Sequence, residues 1–150
     1  MSTKKQELGA FGEKMVVQRC KCPGCKKLKT LRVLPANFKC VDVICDFCGY
    51  LAQVKTATVA NINKLPNRLL GAAWGPQKAR MDAGIYFPLF IVLVGEGTWS
   101  HSVYFLSADL QQPEMFSPRK ALSENARRAG WQGFMYELNK VQTGALVRQF

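Results

Sequence analysis

Two short turns, Cys22-Pro-Gly-Cys25 and Cys45-Asp-Phe-Cys48, separated by 19 residues, restrict the chain more than any other feature. A tetrahedral zinc ion needs four soft ligands, and a CxxC turn presents two sulfurs about one ion diameter apart. Pro23 and Gly24 suit the first turn, and Gly49 suits a backbone that leaves the second with positive φ. The pattern predicts a zinc site of Cys22, Cys25, Cys45 and Cys48, in preference to the disulfide or redox chemistry that also uses CxxC pairs. Four thiolates leave no open coordination position, so this zinc is expected to be structural. Cys20 and Cys40 fall outside the pattern. Cys40 is expected on a strand as a buried small hydrophobe, and Cys20 at the end of the first helix, where it competes with Cys22 at a worse spacing.

The chain has 150 residues, which predicts a single domain, residues 1–150, with the zinc element embedded in it. Its 21 Lys and Arg against 10 Asp and Glu are spread along the chain, a balance that points to a polyanionic partner, nucleic acid above all. The opening MSTKKQELGAFGEK has no apolar core behind its lysines and is not a secretory signal. The most apolar run, GIYFPLFIVLVG, contains a proline and is far shorter than the roughly 18 to 20 residues that span a bilayer. A soluble, cytoplasmic protein with no membrane partner is expected, and in that reducing setting six cysteines suggest metal before disulfides.

Leu8, Phe11, Met15 and Val16 recur at helical spacing, which predicts an amphipathic helix over about 3–19. LKTLRVLPANF then connects to a short strand, KCVDVIC, that enters the second knuckle, and GYLAQVKTATV leaves it as the next strand. Residues 61–84 read as a loop followed by a helix from Gln77 to Ala83. IYFPLFIVLV and TWSHSVYFLSA read as a hairpin of buried strands, and GFMYEL as a last strand.

The hairpin capped by the zinc raises a chemical question. Along Leu51–Lys55 the strand alternates, which sets Gln53 and Lys55 on one face and Ala52 and Val54 on the other. A turn centred between Asp46 and Phe47 pairs Cys40 with Gln53 and Asp42 with Leu51, making Asp42 and Gln53 diagonal neighbours about 7–8 Å apart at the backbone. A register shift of two would set them opposite each other. An acid, an amide oxygen and a lysine on one face of a basic protein suit phosphodiester hydrolysis. Asp42 and Gln53 can hold Mg²⁺ against a phosphate oxygen, and Lys55 can position or deprotonate water. Taken alone, the same residues also fit an exposed edge-strand lysine and a surface acid.

In order, CPGC, VDVICDFC, QVK and ENARRAGWQG resemble the catalytic domain of the DpnI-type methyl-directed restriction endonucleases, of the PD-(D/E)XK nuclease superfamily, over about residues 10–140. The resemblance implies an α/β fold: a restriction-endonuclease-like mixed central sheet flanked by helices, with a four-cysteine zinc knuckle capping a catalytic hairpin. It implies that Asp42, Gln53 and Lys55 take the superfamily's Asp, Asp/Glu and Lys positions, and that double-stranded, adenine-methylated DNA is the substrate of a monomer. Gln53 departs from the usual acid, and a neutral amide oxygen is a weaker metal ligand. The family's enzyme also carries a C-terminal winged helix that reads DNA, for which 150 residues have no room. Selectivity is then expected from the catalytic domain or from another chain.

Arg127 and Arg128 offer bidentate contacts to guanine or phosphate, and Trp131 an apolar face that accepts a methyl group. The resemblance implies that this loop reads methyladenine; the other reading is two solvated arginines and a packed tryptophan. Glu13, on the first helix, is a candidate additional acid near the metal. The leading expectation is a Mg²⁺-dependent endonuclease acting in a GATC-like methylated context. Beside it stand a non-catalytic zinc-ribbon DNA-binding protein and a methylation-independent nuclease or branched-DNA resolvase.

Overall fold

The computed structural model describes residues 3–36, 38 and 41–149, so the reading of Cys40 lies outside the described residues. In chain order the elements are α1 (Lys4–Arg19), β1 (Leu31–Val33), β2 (Val43–Cys45), β3 (Leu51–Val59), β4 (Arg68–Ala73), α2 (Trp74–Asp82), β5 (Leu89–Gly95), β6 (His101–Leu106), β7 (Phe116–Pro118), β8 (Gly133–Glu137) and β9 (Val147–Arg148). They sort into two compact units. The first comprises Met1–Lys64, Phe87–Ala108 and Leu146–Phe150, the second Leu65–Tyr86 and Asp109–Ala145. No helix among the described residues is long and apolar enough to cross a membrane.

The first unit is a mixed sheet in the order β1-β2-β3-β5-β6-β9 with α1 packed on it. Only β3 and β5 run parallel; the other neighbours are antiparallel. Every residue of β5 is buried, and it lies inside the sheet between β3 and β6; burial of side chains on both of its faces accounts for its unbroken apolar run. Helix α1 starts where Thr3 and Gln6 form a capping box: the Gln6 amide donates to the Thr3 hydroxyl (3.2 Å), and the Thr3 amide donates to the Gln6 side chain (2.8 Å). It ends at Cys20, whose backbone is extended. Val16 then meets Ala52, Val54, Phe90 and Val92 in a core that also contains Cys22 and Cys45. Two of the knuckle sulfurs, those of Cys22 and Cys45, are therefore part of the main core of this unit, while Cys25 packs against it and Cys48 is exposed.

Helix and strand approach closely where Gly12 lies over Thr56. A Cβ at Gly12 would overlap the Thr56 hydroxyl and stand 2.9 Å from its Cβ. That hydroxyl is buried with no hydrogen-bond partner among the described residues. Gly12→Ala is expected to destabilise the protein by about 1–3 kcal/mol through overpacking, read as a lower midpoint in urea. Adding Thr56→Ala should recover part of the loss; no recovery would mean that the strain lies elsewhere.

The second unit is an antiparallel sheet, β4-β8-β7, with α2 against β4. Phe116, Phe134 and Tyr136 cluster with ring centroids 5.0–5.9 Å apart, and Gly71 passes directly under the Phe134 ring. Buried Glu137 is satisfied by Arg68 Nε (2.9 and 3.1 Å) and by the Ser117 hydroxyl (2.9 Å).

Several expectations need correction. The stretch read as connector contains β1, and the loop after residue 61 contains β4. The second helix starts at Trp74, three residues before Gln77, with Pro76 in its first turn, where a missing N–H costs nothing. The β2–β3 register also differs. Val43 pairs with Ala52 and Ile44 with Leu51, a shift of two from the pairing of Asp42 with Leu51. The cause is the knuckle itself. Gly49, at φ +80°, belongs to the turn, so Cys45 bonds Tyr50 (2.8 Å) and four residues separate them.

Candidate functional site

The Sγ atoms of Cys22 and Cys48 lie 3.6 Å apart and those of Cys25 and Cys45 3.8 Å apart, with all four within 4.8 Å of one another. A zinc ion bonded at about 2.3 Å to four tetrahedral sulfurs sets them about 3.8 Å apart, so the donor set fits that ion. All four are free thiols, and Cys20, also free, packs in the core outside the group. Burial raises the Cys45 thiol, but the Thr30 hydroxyl (3.2 Å) and the backbone amides of Cys48 and Phe47 outweigh it and bring the group down to about 6. Burial pushes Cys22 up to about 12.

Ten ångströms or so along the same ribbon, about three strand residues from Cys45, stands Asp42. Among the described residues, β2 pairs with β3 only through Val43 and Ile44, which leaves the edge of β3 open beyond Ala52. Asp42 closes the start of that edge. Its amide donates to the Ala52 carbonyl (3.0 Å), and its Oδ2 accepts from the Val54 amide (2.7 Å). The carboxylate thus sits at the peptide link between Gln53 and Val54. On the other edge, the Gln53 amide donates to the Pro88 carbonyl (2.8 Å), and unbroken parallel pairing of Gln53 with Leu89 and Lys55 with Ile91 keeps both side chains on one face.

The charges converge on Asp42. Burial lowers the pKa of half-buried Lys55; Asp42 opposes that shift and Lys5, from the first turn of α1, adds to it. Burial, then the charge of Asp42, raises the Glu13 carboxyl. Two carboxylates held close in a semi-buried place repel each other, and a cation between them removes that cost. Lys5 went unnoticed in the sequence. It occupies one ridge of α1 with Gly9 and Glu13 at spacings of four, the signal that would have found it.

Arg127, Arg128 and Trp131 belong to the second unit, in the turn-rich segment between β7 and β8. Both arginines are exposed and Trp131 is half-buried. The loop is closed by bonds from the Leu122 amide to the Trp131 carbonyl (2.9 Å) and from the Gly130 amide to Leu122 (3.0 Å). The Arg128 guanidinium lies 4.7 Å over the Trp131 ring, whose far edge would touch a Cβ at Gly133. Arg128 and Trp131 therefore form one stacked unit with a polar and an apolar surface.

These features define a mixed-sheet α/β protein with four cysteines placed so that they could hold a metal ion, and an acid, an amide and a lysine on the adjoining ribbon. The chain belongs to the DpnI, Dam-replacing family, a family of methyl-directed restriction endonucleases: the family model matches residues 1–149, through both units. No curated protein matches it.

Proposed function

We propose that the protein is a Mg²⁺-dependent endonuclease that hydrolyses phosphodiester bonds of double-stranded DNA at sites carrying N6-methyladenine in a GATC-like context. In this reading residues 1–150 act as one nuclease domain of the restriction-endonuclease-like, PD-(D/E)XK type, as a monomer. The observation that carries the proposal is the Asp42 carboxylate bonded to the Val54 amide, at the strand position between Gln53 and Lys55 in a member of a DNA-cleaving family.

Asp42 and Gln53 are the residues that would hold Mg²⁺, with Glu13 as an additional acid. When bound, such an ion polarises the phosphate and lowers the pKa of water. Lys55, desolvated so that its ammonium gives up a proton more readily, orients the attacking water and offsets charge on the phosphate. Val54 fixes Asp42, and the structural zinc of Cys22, Cys25, Cys45 and Cys48 holds the ribbon that presents all three. Arg127 and Arg128 bind phosphate or guanine, and Trp131 receives the methyl group.

Digestion of adenine-methylated and unmethylated plasmid with Mg²⁺ tests this. Cleavage of the methylated plasmid alone is expected. Cleavage of both would indicate a methylation-independent nuclease, and salt-sensitive binding without cleavage a zinc-ribbon binding protein. Trp131→Ala is expected to reduce the preference for methylated duplex by about tenfold, the order of one lost base contact, with overall affinity changed less. Equal losses on both duplexes would make Trp131 a packing residue.

A further inference from the structure

We infer that the zinc knuckle is itself a DNA contact: Lys26, Lys27 and Lys29 grip the phosphate backbone a few nucleotides from the cleavage point. The inference rests on the nuclease reading above and adds a binding surface to it.

The strongest sign is backbone strain. The two knuckles are built alike, and in each the residue after the second cysteine adopts a left-handed conformation. The second knuckle uses glycine there, Gly49 at φ +80°, whereas the first uses Lys26 at φ 65°. Three residues on, Lys29 repeats the departure at φ 61°. Glycine takes this conformation without strain and a lysine does not, so two lysines at such positions cost stability that glycine would spare. Strain of this kind persists where the surrounding structure enforces it, and it clusters at functional sites.

Charge and exposure identify the use. From Lys14 to Val41 the sequence contains eight Lys and Arg and no acid. The one acid of the neighbouring knuckle, Asp46, is paired with Arg32 at 3.0 Å. Lys26, Lys27 and Lys29 are exposed, and among the described residues none of them is in an ion pair. Lys27 is held 4.1 Å over the ring of Phe47, which is itself 62% exposed. The aromatic ring of one knuckle thus steadies a cation of the other. A cluster of exposed cations whose one nearby acid in the neighbouring knuckle is already paired complements a polyanion. The ribbon puts it about 10–15 Å from Asp42, the span of about three or four nucleotides along one strand.

The test is the salt dependence of binding to a fluorescent adenine-methylated duplex, with zinc-loaded protein and no added Mg²⁺. Lys26→Gly/Lys27→Gln/Lys29→Gly is expected to bind about tenfold or more weakly at about 0.1 M salt, with the slope of log K against log salt shallower by about 2.7. Its Tm should be equal to or above that of the wild type, because glycine relieves both left-handed positions. Replacing all three with arginine should leave affinity and slope as they are. An unchanged slope in the first variant, an equal loss in the arginine variant, or weaker binding with a lower Tm would overturn the inference. Absence of DNA binding by the wild type would sink it together with the nuclease reading, whereas methyl-dependent cleavage with an unchanged slope would sink it alone.

Discussion

Lys55→Ala is expected to lower single-turnover cleavage of a methylated duplex by about a thousandfold, with DNA affinity largely retained. The size follows from where the ammonium sits. It is half-buried on the face it shares with Gln53, within the field of Asp42, and its pKa is lowered chiefly by burial. In such surroundings a positive charge acts on the phosphate with little screening, and water cannot replace it after truncation. Lys55→Arg should fail nearly as badly, because a guanidinium stays protonated at neutral pH and cannot act as a base towards water. Affinity survives because most of it comes from the many other cations. Cleavage within a few fold of wild type would remove Lys55 from the centre.

The second large effect is on the fold. Cys45→Ser is expected to abolish stoichiometric zinc binding and to lower Tm by well over ten degrees, leaving much of the protein unfolded at 37 °C. Structural zinc contributes about 10–16 kcal/mol in small metal-dependent folds, as much as the entire stability of a typical domain. Here two of the four ligands are inside the core: Cys22 and Cys45 are 0% and 1% exposed and pack with Leu31, Val43 and Val54. A thiolate cluster left without its cation is buried charge with no compensation. Zinc content and Tm measured on one sample would check this, and full zinc with unchanged Tm would reassign the ligands.

How much of this was legible in the sequence depended on how local each feature is. The cysteine quartet could be read because two tight turns fix the spacing of their own ligands. Alternation along β3 was equally plain. The register of β2 against β3 was not, since it turns on whether Gly49 belongs to the strand or to the turn, and the knuckle backbone decides that. β1 escaped because only Leu31 of its three residues is buried, which leaves no pattern to see. β4 escaped because Gly71 gives up its side chain to the Phe134 ring, breaking the alternation that marks a strand. The bond from the Val54 amide to Asp42 was out of reach altogether: it exists because β2 stops short and leaves an amide for a carboxylate to take. Lys5 acts on Lys55 across 50 residues of chain, a proximity created only when α1 docks on β3.

The most direct measurement is Mn²⁺ binding, as a spectroscopic stand-in for Mg²⁺, to zinc-loaded wild type, Asp42→Asn and Gln53→Glu by electron paramagnetic resonance. A site built on the Asp42 carboxylate and the Gln53 amide predicts weaker binding for Asp42→Asn and tighter binding for Gln53→Glu, since each changes the charge of a ligand by one unit. Equal affinity in all three proteins would contradict it, because the ion would then be held somewhere else.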